Sequence, residues 1–250
     1  MSRKLLLFLV EGQSDVLAFE YPFGLFFEQI DPSIEVRFLK TRFDGDITSC
    51  SLVDQNNIAD KIDEWWGISN FLSRNGFDAS DVLEVIQISD IDGAYIPDEN
   101  VIWVPRKHPS EYCDQVIRCD NKERMIDRNK RKRHNFTSLK SLKNIQIQGD
   151  KIKYSIFYFA CNMDHFICGD RNLANGKIKC EIAEAFAYSF DNSQQVYDFF
   201  STSNKQRICV NGTFKESWDF LKKETNSLKA CSNIVVLFNK YRDAYENIPE

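Results

Sequence analysis

Three acidic residues stand where a folded chain could gather charge for catalysis. Glu11 follows the apolar run Leu5 to Val10 and precedes Gly12, while Asp90 and Asp92 follow a second run, Val82 to Ile88, and precede Gly93. Aspartates at i and i+2 on extended backbone send both carboxylates to the same side, and the glycine behind them permits a sharp turn. Carboxylates drawn together repel, so the group needs a compensating cation. Hard divalent ions choose oxygen ligands and keep waters for a substrate phosphate, which makes Mg²⁺ or Mn²⁺ the expected cofactor. The chemistry suited to such a group is phosphodiester hydrolysis or transfer, with the ion activating water and neutralising charge at the phosphoryl centre.

Each piece of this pattern also has an ordinary use. Glu-Gly after a strand is commonly a turn, and Asp-x-Asp is often a helix cap or a loop acid. Their co-occurrence, in this order and both after buried strands, favours the metal site. Asp44 and Asp46 repeat the spacing, but Gly45 lies between them and no strong strand precedes them, which predicts a turn.

The elements that must place these acids follow from periodicity. Leu5 to Val10, Val82 to Ile88 and Tyr154 to Ala160 are unbroken apolar runs, the pattern of strands buried on both faces, and Val36 to Leu39 and Val101 to Val104 are further strand candidates. Helical spacing runs from Ile58 to Leu72, and a helix after Asp15 is expected to be kinked or short because of Pro22 and Gly24. Strands alternating with helices, with polar residues at strand ends, describe an α/β fold: an open, mainly parallel sheet flanked by helices, binding ligands outside the carboxyl ends of its strands. Residues 1–165 form the expected α/β domain, with a polar, basic insertion at 106–150. Residues 166–250 read as a helical C-terminal region.

At 250 residues, 43% hydrophobic and with twenty Phe, the composition is that of a globular chain. No apolar run is long enough to span a membrane, and eight cysteines without a CxxC pair argue against zinc and disulfide frameworks, which fits reduced thiols in the cytoplasm. The net charge is −5, yet Lys122 to Lys143 holds nine Lys or Arg against two acids. Arg124, Arg128, Lys130, Arg131, Lys132 and Arg133, with His134, are therefore candidates to grip a nucleic-acid backbone, although a charge run is also the common signature of a solvated helix face. Asn162, Asp164 and His165 follow the Tyr154 to Ala160 strand and should reach the same edge. There they would orient a metal ligand or steady the leaving group, or Asn162 or Asp164 would simply cap a helix.

Val10-Glu11-Gly12 and Asp90-Ile91-Asp92 together resemble the TOPRIM fold of topoisomerases, bacterial primases and overcoming-lysogenization-defect-type nucleases. The longer string Val10-Glu11-Gly12-Gln13-Ser14-Asp15 is most similar to the nuclease branch, in which an acid four residues after the Glu also serves the metal; Asp15 stands there. The resemblance covers roughly residues 4 to 165 and implies a Rossmann-like sheet, catalytic Glu11, Asp90 and Asp92, and metal ligation by these three with Asp15. It implies a Mg²⁺- or Mn²⁺-dependent endonuclease acting on tRNA or DNA, as in small stand-alone effectors of anti-phage defence. A toxic nuclease needs restraint, so a regulatory partner such as an ATPase, or a homo-oligomer, is expected. Two other readings stay open: a regulatory module that binds nucleic acid without cleaving it, and a haloacid-dehalogenase-like phosphatase with Asp90 as nucleophile. The phosphatase reading leaves Glu11-Gly12 unexplained.

Overall fold

The computed structural model describes residues 4–43, 45–54, 56–105 and 110–246. The chain runs β1 (Lys4–Val10), α1 (Gln13–Ile30), β2 (Ile34–Lys40), α2 (Ile58–Trp66), α3 (Ile68–Asn75), β3 (Val82–Asp90), β4 (Val101–Trp103), β5 (Glu111–Tyr112) and β6 (Ile117–Cys119). It continues through α4 (Lys122–Ser141), β7 (Asn144–Ile147), β8 (Asp150–Phe159), α5 (Met163–Cys168), α6 (Gly176–Ala187), α7 (Ser193–Ser201), β9 (Ile208–Cys209), α8 (Phe214–Leu221), β10 (Cys231–Ser232) and α9 (Ile234–Glu246).

The main sheet has the order β2-β1-β3-β8-β10-β9, with β7 forming an antiparallel hairpin against the start of β8. β2, β1, β3 and β8 are parallel, so all four deliver their C-terminal ends to one edge, and β10 joins β8 antiparallel. This is the expected α/β class with an open, mainly parallel, Rossmann-like sheet. A separate three-stranded sheet, β4-β6-β5, stands beside it.

The unbroken apolar runs are explained by helices on both faces. Leu5, Leu7 and Leu9 of β1 face a layer built from α2, α3, α4 and α8, with Ile62, Trp66, Phe136 and Trp218. Leu6, Phe8 and Val10 face α1, α7 and α9 through Phe19, Phe23, Phe200 and Phe238. α1 runs its full 18 residues with Pro22 inside it, so of the two expected outcomes, kinked or short, the short one does not hold; packing of five buried residues besides Pro22 outweighs the one hydrogen bond that proline cannot donate. The helix expected over 58–72 is two, divided at Gly67, whose φ is +69°.

Two boundaries differ from the sequence reading. The basic stretch is not an insertion outside the core: Phe136 and Leu139 of α4 are fully buried in the first layer, and β7 and β8 belong to the main sheet. The region after 165 is mostly helical, but it also adds β9 and β10 to the same sheet and packs Phe238 at 5.1 Å from Phe23, so both parts share one core.

Candidate active site

β1 ends at Val10, whose carbonyl accepts from Trp66 Nε1 at 2.8 Å, and Glu11 leaves the strand with its own carbonyl held by Thr41 Oγ1 at 3.1 Å. Gly12 caps α1, and Asp15 in the first turn accepts the Gly12 N–H at 2.7 Å. Asp90 is the last residue of β3. Its N–H donates to Glu11 Oε1 at 3.3 Å, and its Oδ1 accepts from the Met163 N–H at 2.9 Å. Strand order thus brings Glu11 and Asp90 together from 79 residues apart.

Asp92 arrives differently from the expectation. The extended backbone stops at Asp90, and Asp92 is left-handed at φ +54°, followed by Gly93 at +66°. The Asp92 N–H is tied to Cys161 O at 2.9 Å, and its carboxylate meets the ammonium of Lys132 at 2.7 Å. That lysine is fully buried; it also bonds Asp46 Oδ2 at 2.6 Å and Asp90 O at 2.9 Å. Arg128 backs Asp92 by donating to its carbonyl at 2.8 Å and to the Tyr112 hydroxyl at 3.1 Å. Across the cluster, Asp164 is 3% exposed and pairs with Lys179 at 2.6 Å, while its Oδ1 has no hydrogen-bond partner.

Six carboxylates, those of Glu11, Asp15, Asp46, Asp90, Asp92 and Asp164, therefore feel one another against the cations of Arg128, Lys132 and Lys179. Burial first, then the Asp46, Asp90 and Asp92 charges, push the Glu11 carboxyl well up. Burial, then Asp15 and Asp92, do the same to Asp90, and burial with Asp164 raises Asp15 to about 6. For Asp92 burial acts upward, but Lys132 and Arg128 outweigh it and hold the carboxyl below its ordinary value. The Lys132 ammonium, disfavoured by burial, is kept charged by Asp46, Asp92 and Glu11.

The hard-oxygen donors, the excess of part-buried carboxylates over cations and the orphaned Asp164 Oδ1 suit a divalent cation in donor type. In the arrangement described, Lys132 occupies Asp92, and among the described residues no three His, Cys, Asp or Glu converge closely enough to hold an ion. Two clefts flank the acids. One, of ≈ 430 Å³, is lined by Asp90, Asp92, Tyr112, Asn162, Arg171 and Lys179; the other, of ≈ 600 Å³, reaches Glu11 along Gln13, Thr41 and Arg42.

Several sequence expectations need correction. Lys132 and Arg128 are not free to grip a nucleic-acid backbone, because both are spent on the acid cluster. Arg131 and Arg133 are partly buried and donate to Ser49 O and Ala94 O. Arg124, Lys130 and His134 do face outward. Asn162 is a helix cap: its Oδ1 accepts the His165 N–H at 2.8 Å and its Nδ2 donates to Arg171 O, although it also lines a cleft. His165 is buried with Nδ1 unpartnered, and the charges it feels are those of Arg171, Asp114 and Asp170, so it orients no candidate ligand. Asp46, whose spacing predicts a turn, is a member of the cluster; Asp44 lies outside the described residues. Lys179, Arg171 and Tyr112 had no local signal, since only the tertiary fold carries them to the edge.

No protein-family model, no curated protein and no solved structure matches this chain. Among the described residues, no helix is long and apolar enough to cross a membrane.

Proposed function

We propose that this chain is a metal-dependent nuclease that cleaves phosphodiester bonds of tRNA or DNA, acting in the cytoplasm as an effector of anti-phage defence. The observation that carries the reading is the excess of part-buried carboxylates over cations at the carboxyl edge of a parallel sheet, opening on two clefts. The likeness of Glu11-Gly12, Asp15 and Asp90-Ile91-Asp92 to the TOPRIM nucleases supports it. Glu11, Asp90 and Asp92, with Asp15, would hold Mg²⁺ or Mn²⁺, which supplies Lewis acidity and an activated water when bound. Arg171 and Lys179 line the cleft beside Asp90, paired with Asp114 at 2.7 Å and Asp164 at 2.6 Å, and a substrate phosphate would compete with those carboxylates for them. The outer face of α4, with Arg124, Lys130 and His134, extends that contact along the backbone.

The test is cleavage of labelled tRNA and DNA with Mg²⁺ or Mn²⁺, comparing the parent with Glu11→Ala and Asp92→Ala. The expected result is ion-dependent cleavage lost in both variants. Cleavage that persists in chelator, or variants as active as the parent, refutes the reading.

A further inference from the structure

Lys132 has three ammonium hydrogens and three oxygen acceptors, Asp46 Oδ2, Asp92 Oδ2 and Asp90 O, so its donor capacity is filled inside the protein. Its side chain has no exposed surface. An ammonium so placed does for Asp92 what a divalent ion would do: it neutralises a part-buried carboxylate. Two cations on one carboxylate oxygen at these distances repel strongly, so ammonium and metal cannot both sit there at full strength.

The two carboxylates that share Lys132 are built differently. Asp46 is fixed in a loop that α4 itself secures. Its Oδ1 and Oδ2 accept from the Thr48 N–H at 2.7 Å and the Thr48 hydroxyl at 2.5 Å, and Asn135, one turn beyond Lys132 on α4, donates to Thr48 O and Val53 O. Asp92 sits on the left-handed turn after β3, beside Asp90 and the cleft. One partner thus travels with the lysine's helix, and the other belongs to the site.

We infer that Lys132 is a resident counter-cation that a divalent ion must displace from Asp92, and that Asp46 is the carboxylate that retains the lysine when the ion enters. The inference rests on the metal-site reading above and adds to it how strongly and how selectively the site takes its ion. It makes Lys132 and Asp46 positioning residues with opposite effects on metal affinity. Removing the ammonium removes the competitor, whereas removing the Asp46 charge leaves the lysine no carboxylate partner but Asp92, beside the Asp90 carbonyl.

The experiment measures Mn²⁺ affinity by electron paramagnetic resonance on the full chain, for the parent, Lys132→Met and Asp46→Asn. Lys132→Met is expected to bind on the order of tenfold tighter and Asp46→Asn on the order of tenfold weaker than the parent. A second measurement needs no variant to fold. The ¹⁵N resonance of the buried Lys132 ammonium in the parent, assigned by coupling across its hydrogen bond to the Asp90 carbonyl, is expected to move as Mg²⁺ saturates the site. Variants that shift affinity in the same direction, variants that leave it unchanged, or a Lys132 resonance that stays in place at saturating Mg²⁺, overturn the inference while leaving the metal site standing. A parent chain that binds neither ion overturns both.

Discussion

In a part-buried cluster a carboxyl is held down where a cation stands against it and pushed up where none does. Asp92 has Lys132 and Arg128; Glu11 and Asp90 have no ion pair among the described residues, and their carboxyls are pushed up. The same logic gives His165 a pH signature. Burial first, then Arg171, lowers its value from 6.5 to about 4, so the folded protein holds it neutral while the unfolded chain accepts a proton. The group is neutral toward stability above about pH 6.5, and a destabilising penalty builds as pH falls toward about 4, reaching about 3 kcal/mol. Urea melts of the parent against His165→Gln across that range should show the parent's slope flattened in the variant; equal slopes would disprove the assignment. Gly93 yields a second expectation. At φ +66° a Cβ there would lie 2.5 Å from Leu228 Cδ2, so Gly93→Ala should lower stability by roughly 1–3 kcal/mol and disturb the Asp92 turn, read as a lower urea midpoint.

Among the elements, α4 decides which cations are available to a partner. Met125, Asn129, Lys132, Phe136 and Leu139 form its buried stripe at helical spacing, and the charges on the opposite side are exposed. Arg124→Glu with Lys130→Glu should therefore weaken nucleic-acid binding and lower the salt dependence of log K by about 2, at unchanged melting temperature, because each lost phosphate contact removes about one released counterion. Binding isotherms at several salt concentrations check this, and an unchanged slope would exclude the outer face of α4 as the contact. This helix also shows what could be read in advance. Glu11, Asp90 and Asp92 were legible because each ends an apolar run long enough to be recognised as a buried strand. The role of α4 was not, since its buried stripe contains Lys132, whose burial depends on partners at Asp92 and Asp46 far away in the chain, and Asn129, whose Oδ1 accepts from the neighbouring Arg128. Asp46 was hidden for the same reason, as a turn acid whose importance lies in a lysine 86 residues later.

For the molecule as a whole, the α/β class and parallel order could be read from the strand runs, but the unity of the fold could not, because β9 and β10 are two residues each and carry no periodicity. Physically, the region after 165 completes what the first part leaves open. Phe238 of α9 lies 4.0 Å from Phe26 and 5.1 Å from Phe23, ring to ring, and Phe200 of α7 contacts Phe19 and Phe23. Glu84, 3% exposed near the start of β3, is satisfied by Lys240 Nζ and the Tyr241 hydroxyl, each at 2.6 Å, together with Ser155. A chain ending at His165 would lose the aromatic cover of α1, two of the three side chains that satisfy Glu84, and the strand beside the end of β8. Large apolar surface without cover and a carboxylate short of partners each cost several kcal/mol, comparable to the whole stability of a domain. The shortened chain should therefore melt without a cooperative transition and bind an apolar dye such as anilinonaphthalene sulfonate, while the full chain melts sharply and does not. A cooperative melt for residues 1–165 would show that the aromatic layer dispenses with its C-terminal half, and that the acids of the candidate site can be held in place without it.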